Sequence, residues 1–480
     1  KFIHNGLNLM AQPQLVTELL KTLKAKYQVV LDDAVLFYEQ YESLYGVYAK
    51  ESQRVIEIKH QLSTIHGYKK KHGSFPKIKG QDSTDAYIKE LEKIKQRAQS
   101  EIDHLEPDVL EGFEKRQALL TDIANSIAKM MISERDASQF IATMMLRAPL
   151  PADSSRCPTN EKNKPIYIAA LAISLLKQLT SQQLIEEDYI TQRVPPLVPG
   201  ESHPEQLEYP QEMLGDYINE VLNPIIIAVL IHNIGSYSVE AERIYKGNRY
   251  RMLDEEARKS LINIIHSATN DYLHYGFGKP QQEKMDETQF ELEMEKFELT
   301  QTIVNDYPKS QSPIGNLLRI PMIYSSFMLS TKPQHDFKLS FKAYDILKSG
   351  IDKNVVYAPY GEVFLNMVGQ YPLGCGIFFI SKETGLPERA VVSSLNPPKP
   401  TSAIVKQLTR RQVKFDDHTQ VAASEEYIVS NDIARKKSDF AAPYYKKQFP
   451  TGFYWNPAEP WERDIDHQKF WRRDNQIKSN

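Results

Sequence analysis

Leu222-Asn-Pro-Ile-Ile-Ile-Ala-Val-Leu-Ile-His-Asn-Ile-Gly-Ser236 is the stretch on which the reading of this chain turns. An apolar run without interruption predicts a buried core helix. It ends in His232-Asn233-Ile234-Gly235. A divalent metal site built on such a pair needs a carboxylate at the second position, because a carboxylate supplies charge as well as an oxygen. Asn233 offers only the oxygen. The frame of a metal site is present with a central ligand weakened.

Outward from this stretch the chain reads as mostly helical. Leu15, Leu19, Leu20 and Leu23, then Val30, Leu31 and Val35, keep helical spacing across residues 12–65. A Gly/Pro-marked loop with Lys69-Lys70-Lys71 follows, and its lysines read as solvated. Ser83-Thr84-Asp85 offers an N-cap to a charge-alternating helix. Pro107 is expected to interrupt that helix, and a second is expected through Phe113, Leu120, Ile123 and Ile127. Met130, Met131, Met144 and Met145 read as core. Residues 149–164 look exposed, and Ile166–Leu179 is a strongly apolar helix. Residues 186–213 hold five prolines and read as a surface insertion. Helices resume over 213–231, 254–275, 289–305, 317–328 and 341–349.

After about residue 355 the pattern shifts to strands. Residues 376–380 and 388–393 read as two short strands around the turn 382–387, and 404–408 as a third strand. The last stretch holds all three tryptophans, Trp455, Trp461 and Trp471, and is expected to fold back on the protein. The fold class is therefore mainly α. The expected organisation is an N-terminal helical domain over 1–114, a helical domain over 115–355, a small β element over 356–425 and a tail over 426–480.

Composition narrows the function classes. Of 480 residues, 41% are apolar and 25% charged, with a formal net charge of −3. That balance gives no global basic field for nucleic acid. Cys157 and Cys375 are too far apart in sequence for a CxxC metal knuckle, and two cysteines suit a reducing cytoplasm. No uninterrupted apolar run reaches the roughly 18 residues that span a bilayer. Lys1 is not an initiator methionine; Met10 is a candidate start, which would leave 1–9 as added residues. No P-loop, GxSxG or HExxH pattern is present.

Five segments in order resemble the HD-GYP family, helical metal-dependent phosphodiesterases of bacterial cyclic di-GMP signalling. They are the helix running into His232-Asn-Ile-Gly; Arg251-Met-Leu-Asp-Glu-Glu-Ala-Arg with Ile264-Ile-His266; Leu318-Arg-Ile-Pro-Met-Ile-Tyr-Ser325; Lys332-Pro333 with the segment 339–347; and Val368-Gly-Gln-Tyr-Pro-Leu-Gly374 with the strands after it. The resemblance covers roughly residues 115–410. It implies an HD-type helical bundle whose pocket holds Mn or Fe and a cyclic dinucleotide.

The departures from the family pattern fall on its metal ligands. Asn163-Lys164-Pro165 stands where the first histidine is expected. Asn233 replaces the Asp and Ser236 the lysine. The His-His-Glu stretch falls at Asn305-Asp306-Tyr307 or, in a rival alignment, at Asn270-Asp271-Tyr272. Ser325 takes the place of the later metal Asp. His232 and His266 survive with Gly235. A site that clamps phosphate between cations needs several carboxylates and imidazoles, so loss of four or five should abolish it. The expectation is therefore a catalytically inactive HD-GYP-like protein with no catalytic residue, no metal and no cofactor. It would bind a cyclic dinucleotide, a protein partner or itself. Arg249, Arg251, Arg319 and Lys332 are the candidates to meet phosphate. An active cyclic di-GMP phosphodiesterase would need replacement ligands such as His203, Glu205 or Asp216. A purely structural helical scaffold is the third reading.

Overall fold

A computed structural model describes residues 15–80, 83–148, 158–199, 207–249, 251–331, 337–382, 384–408, 415–463, 465, 467–471 and 477–479. It is mainly helical, with one small sheet near the C-terminus. The chain divides into two compact units, each built from stretches distant in sequence. One comprises Val29–Leu120 and Ile231–Met294; the other comprises Lys1–Gln28, Thr121–Leu230 and Glu295–Asn480.

In the first of these units, α2 (Gly46–His72) and α3 (Thr84–Met131) form a long hairpin. Val55, Ile58, Leu62 and Ile65 recur every three or four residues, so they lie on one face of α2. Ile58, Leu62 and Ile65 meet Ile88 and Leu91 of α3, while Val55 meets Ala98 and Ile102. The helix α2 ends at Gly73, whose φ of 74° lies in the left-handed region that glycine adopts without a Cβ penalty. Pro107 does not break α3, contrary to the expectation. Pro107 and Asp103 are both exposed, so the carbonyl that loses its helical partner faces water. The apolar face continues unbroken through Ile102, Val109 and Phe113.

The centre of this unit is polar. Arg116 and Asp33, on α3 and α1 (Val16–Glu39), form a buried ion pair at 2.5 Å. Arg116 also donates to the Tyr45 hydroxyl at 3.0 Å and to the Gly276 carbonyl at 3.2 Å. The rings of Phe37, Tyr45 and Tyr272 surround its guanidinium. Two wide π-helical turns, Tyr41–Tyr45 and Tyr272–Gly278, meet around this pair. Gly278 closes the second at φ 84°, where a Cβ would stand 2.3 Å from the Phe113 ring.

In the other unit, α5 (Pro158–Ser181) is buried nearly all round and packs against α4 (Glu134–Leu146). It begins earlier than its apolar run: Asn160 and Asn163, expected to be exposed, are buried. The Asn160 side-chain NH2 donates to the Ser330 carbonyl at 2.9 Å, which satisfies one of its polar atoms in the core. The quoted stretch forms α7 (Asn223–Ile231), reached from α6 (Gln211–Tyr217) through a π-helical turn. The segment Gln211–Tyr237 is long and apolar enough to cross a membrane, but 72% of its most apolar window is buried inside the protein. The insertion is anchored: Arg193 pairs with Glu220 and Glu295, and the Tyr189 hydroxyl donates to the Glu220 carbonyl.

The sheet is an antiparallel meander of β1 (Gly376–Ile380), β2 (Pro387–Ser394), β3 (Ala403–Leu408) and β4 (Phe415–Ala423). Tyr454–Trp455 adds antiparallel to β1, and Ile477–Ser479 adds parallel to β4. The tail does fold back. Trp461, Ile465 and Phe470 are buried with Leu146, Val391 and Leu408. Lys406 of β3 is buried beneath this tail and donates to the Phe470 carbonyl. Burial, then the charge of Arg135, pushes its ammonium down to about 8.

Candidate functional site

His232 and Asn233 form the turn after α7, and residues 234–237 continue as a 3-10 turn. The next helix, α8 (Val239–Tyr245), is capped by the Ser238 hydroxyl, which accepts from the Ala241 amide at 3.3 Å. The turn sits on α9 (Glu255–Asp271) through one hydroxyl. Thr269 Oγ1 accepts from the Gly235 amide at 3.1 Å and donates to the His232 carbonyl at 3.4 Å. Gly235 is needed for that approach: a Cβ there would stand 2.2 Å from the Ile265 carbonyl oxygen. His232 is buried, whereas Asn233 is exposed. The turn His232–Gly235 is thus a packing joint against α9.

Around this joint, Arg249 stacks on Tyr237 at 3.8 Å and pairs with Glu242. Arg251 and His266 are half-buried, and the His266 carbonyl accepts from the Asn270 amide at 3.0 Å. His274 Nδ1 lies 2.8 Å from the Asn270 carbonyl. Asp271 is half-buried between the π-helical turns. Desolvation raises its pKa from the ordinary aspartate value, against the opposing hydrogen bond from Tyr41 and the nearby His274. Tyr272, its neighbour in the rival alignment, is fully enclosed beside Arg116.

The remaining expected residues lie in the other unit. Asn305 and Asp306 end α10 (Glu287–Asp306). Asp306 accepts from the Ser312 hydroxyl at 2.9 Å and from Lys309 at 2.6 Å, which ties the following loop. Arg319 of α11 (Pro313–Met328) donates to the carbonyls of Val355, Tyr307 and Pro308 at 2.8, 3.2 and 3.2 Å. Partial burial lowers its pKa from the ordinary arginine value. Ser325 is fully buried and donates to the Met322 carbonyl at 2.8 Å. Lys332, His203 and Glu205 lie outside the described residues.

The structure therefore brings His232 and Gly235 onto Thr269, and Asp306 and Arg319 onto one loop. Among the described residues, no three His, Cys, Asp or Glu side chains converge so as to hold a metal ion. A groove of roughly 650 Å³ is lined by Ile323, Lys342, Asp345, Ile346, Lys353 and Val356, and none of the expected site residues lines it. Thr269 and the Asp33–Arg116 pair were not singled out by sequence reasoning. Each is a single polar residue on a helical face, with no local signal to mark its partner. In comparisons with protein-family models, curated proteins and solved structures, nothing matches this chain.

Proposed function

We propose that this chain is a catalytically silent HD-GYP-like protein that works by binding, in the bacterial cytoplasm. The observation that supports this reading is the use made of the motif positions. Gly235 and the His232 carbonyl are joined to Thr269, Asp306 to Ser312 and Lys309, and Ser325 to Met322. These bonds hold a turn on α9, a loop after α10 and a turn of α11, so the positions carry a structural role that calls for no metal. Two of the four candidate phosphate cations, Arg249 and Arg319, are also engaged internally. That favours a protein partner or a second copy of the chain over a cyclic dinucleotide as the ligand.

The test is equilibrium dialysis against cyclic di-GMP with product analysis, alongside light scattering for the oligomeric state. Self-association, or retention of intact nucleotide, supports silent binding. Turnover of the nucleotide overturns it, and would favour an active phosphodiesterase with ligands rebuilt elsewhere. A monomer that retains no nucleotide and turns none over would leave a protein partner as the binding reading to test, against a helical scaffold.

A further inference from the structure

Residues 58–81 contain six lysines, three histidines and no Asp or Glu. This segment contributes +6 to a chain of formal net charge −3, which leaves −9 on the rest. Its residues 58–80 form the end of α2 and the first part of the loop after it; Asp82 follows in the sequence. Lys69, Lys70, Lys71, Lys77 and Lys79 gather at the tip of the hairpin, and all are exposed. Lys70, Lys71, Lys77 and Lys79 make no ion pair among the described residues, while Lys69 lies 3.9 Å over the Phe75 ring. Beneath them Ile58, Leu62, Ile65, Ile88 and Leu91, with Phe75 and Ile78, give the tip its own apolar core. The Thr84 hydroxyl donates to the Pro76 carbonyl at 2.7 Å and holds the loop. Tyr68 is 43% exposed and lies against His72.

Lysines in a last helical turn complement the helix dipole, which accounts for Lys69–Lys71. It does not account for Lys77 and Lys79, which lie beyond the helix, nor for the 24 residues without an acid between Glu57 and Asp82. We infer that the lysine-ringed tip of the α2–α3 hairpin docks end-on against an anionic phospholipid surface. Three consecutive lysines step around a helix by about 100° each, so they ring its end and do not form a stripe along one face. A ring suits a flat charged plane. A nucleic-acid groove is better followed by a stripe, and is commonly read by arginine forks, which this segment lacks. Tyr68 supplies the amphipathic ring that settles at headgroup level.

The test is sedimentation of the full chain with vesicles of phosphatidylcholine, with or without about 30% phosphatidylserine. The comparison is the triple variant Lys70→Gln/Lys71→Gln/Lys77→Gln, whose exposed sites leave the thermal melt unchanged. Each lysine near such a surface is worth about five-fold, so the variant should partition roughly 100-fold more weakly. Binding should need phosphatidylserine and fall at high salt. Partitioning that ignores phosphatidylserine, or that the variant retains, overturns the inference. So does capture of a short nucleic-acid duplex without vesicle binding.

Discussion

Replacing Gly235 by alanine should destabilise the protein, because the glycine is where the His232 turn rests on α9. The added Cβ would stand 2.2 Å from the Ile265 carbonyl oxygen, 2.7 Å from the Thr269 amide nitrogen and 2.9 Å from its hydroxyl. Two of these three atoms are backbone, so relief requires the turn to lift away from the helix. Overpacking of this kind costs about 1–3 kcal/mol. Lifting also breaks the 3.1 Å bond from the Gly235 amide to Thr269, worth about 1 kcal/mol. The expected loss is therefore about 2–4 kcal/mol. Thr269→Val removes the hydroxyl without adding bulk at Gly235: it leaves the buried Gly235 amide unsatisfied and the His232 carbonyl without its donor, at about 1–3 kcal/mol. The two sites are in contact, so the double variant should lose less than the sum. Asn233→Asp, at the exposed neighbouring position, should change stability by less than about 0.5 kcal/mol. Urea unfolding followed by circular dichroism measures all four. A Gly235→Ala loss below about 0.5 kcal/mol, or a Thr269→Val variant as stable as the parent, would refute the packing-joint account.

Other perturbations probe the remaining polar joints. Asp33→Asn leaves the Arg116 guanidinium buried without its carboxylate and should cost about 3–5 kcal/mol, while Asp33→Leu/Arg116→Met together should cost less. Arg319→Ala removes donors from three carbonyls and should raise amide exchange around residues 307–312 and 353–356, with a stability loss of about 1–3 kcal/mol. Lys406 binds its proton more weakly when folded, at about 8 against an ordinary 10.5. Between those values the unfolded chain holds more protons, so its burial penalty, full below pH 8, is relieved as pH rises. Stability measured from pH 8 to 10 should therefore climb in the parent relative to Lys406→Met, by roughly 1 kcal/mol per pH unit, and equal slopes would count against it. Cys375 is fully buried and its thiol is pushed up to about 12, so in a Cys157→Ser background the native protein should resist thiol reagents that label it freely in urea.

Much of the helical fold was legible because burial imposes spacing. Ile166–Leu176 and residues 224–231 are apolar nearly all round and are core helices, and the strands 376–380, 387–394 and 403–408 follow their apolar residues. Pro107 misled because its effect depends on whether the freed carbonyl reaches water, which only the fold decides. The strand 415–423 begins with mixed polar residues and pairs through backbone bonds that leave no periodic signature. The π-helical turns at 41–45 and 272–278 are shaped around Arg116, a partner distant in sequence. The candidate site was legible as a motif at His232–Gly235. Its use was not, since Thr269 lies 34 residues beyond Gly235 and nothing local ties the two.

The proposal that this chain works by binding rests on its having no metal chemistry. Metal analysis of the purified full chain, paired with a cyclic di-GMP hydrolysis assay in added manganese or iron, tests it most directly. The account predicts no stoichiometric metal and no turnover in either ion. Bound metal accompanied by hydrolysis would contradict it, and would mean that ligands other than His232 and its neighbours build a metal site.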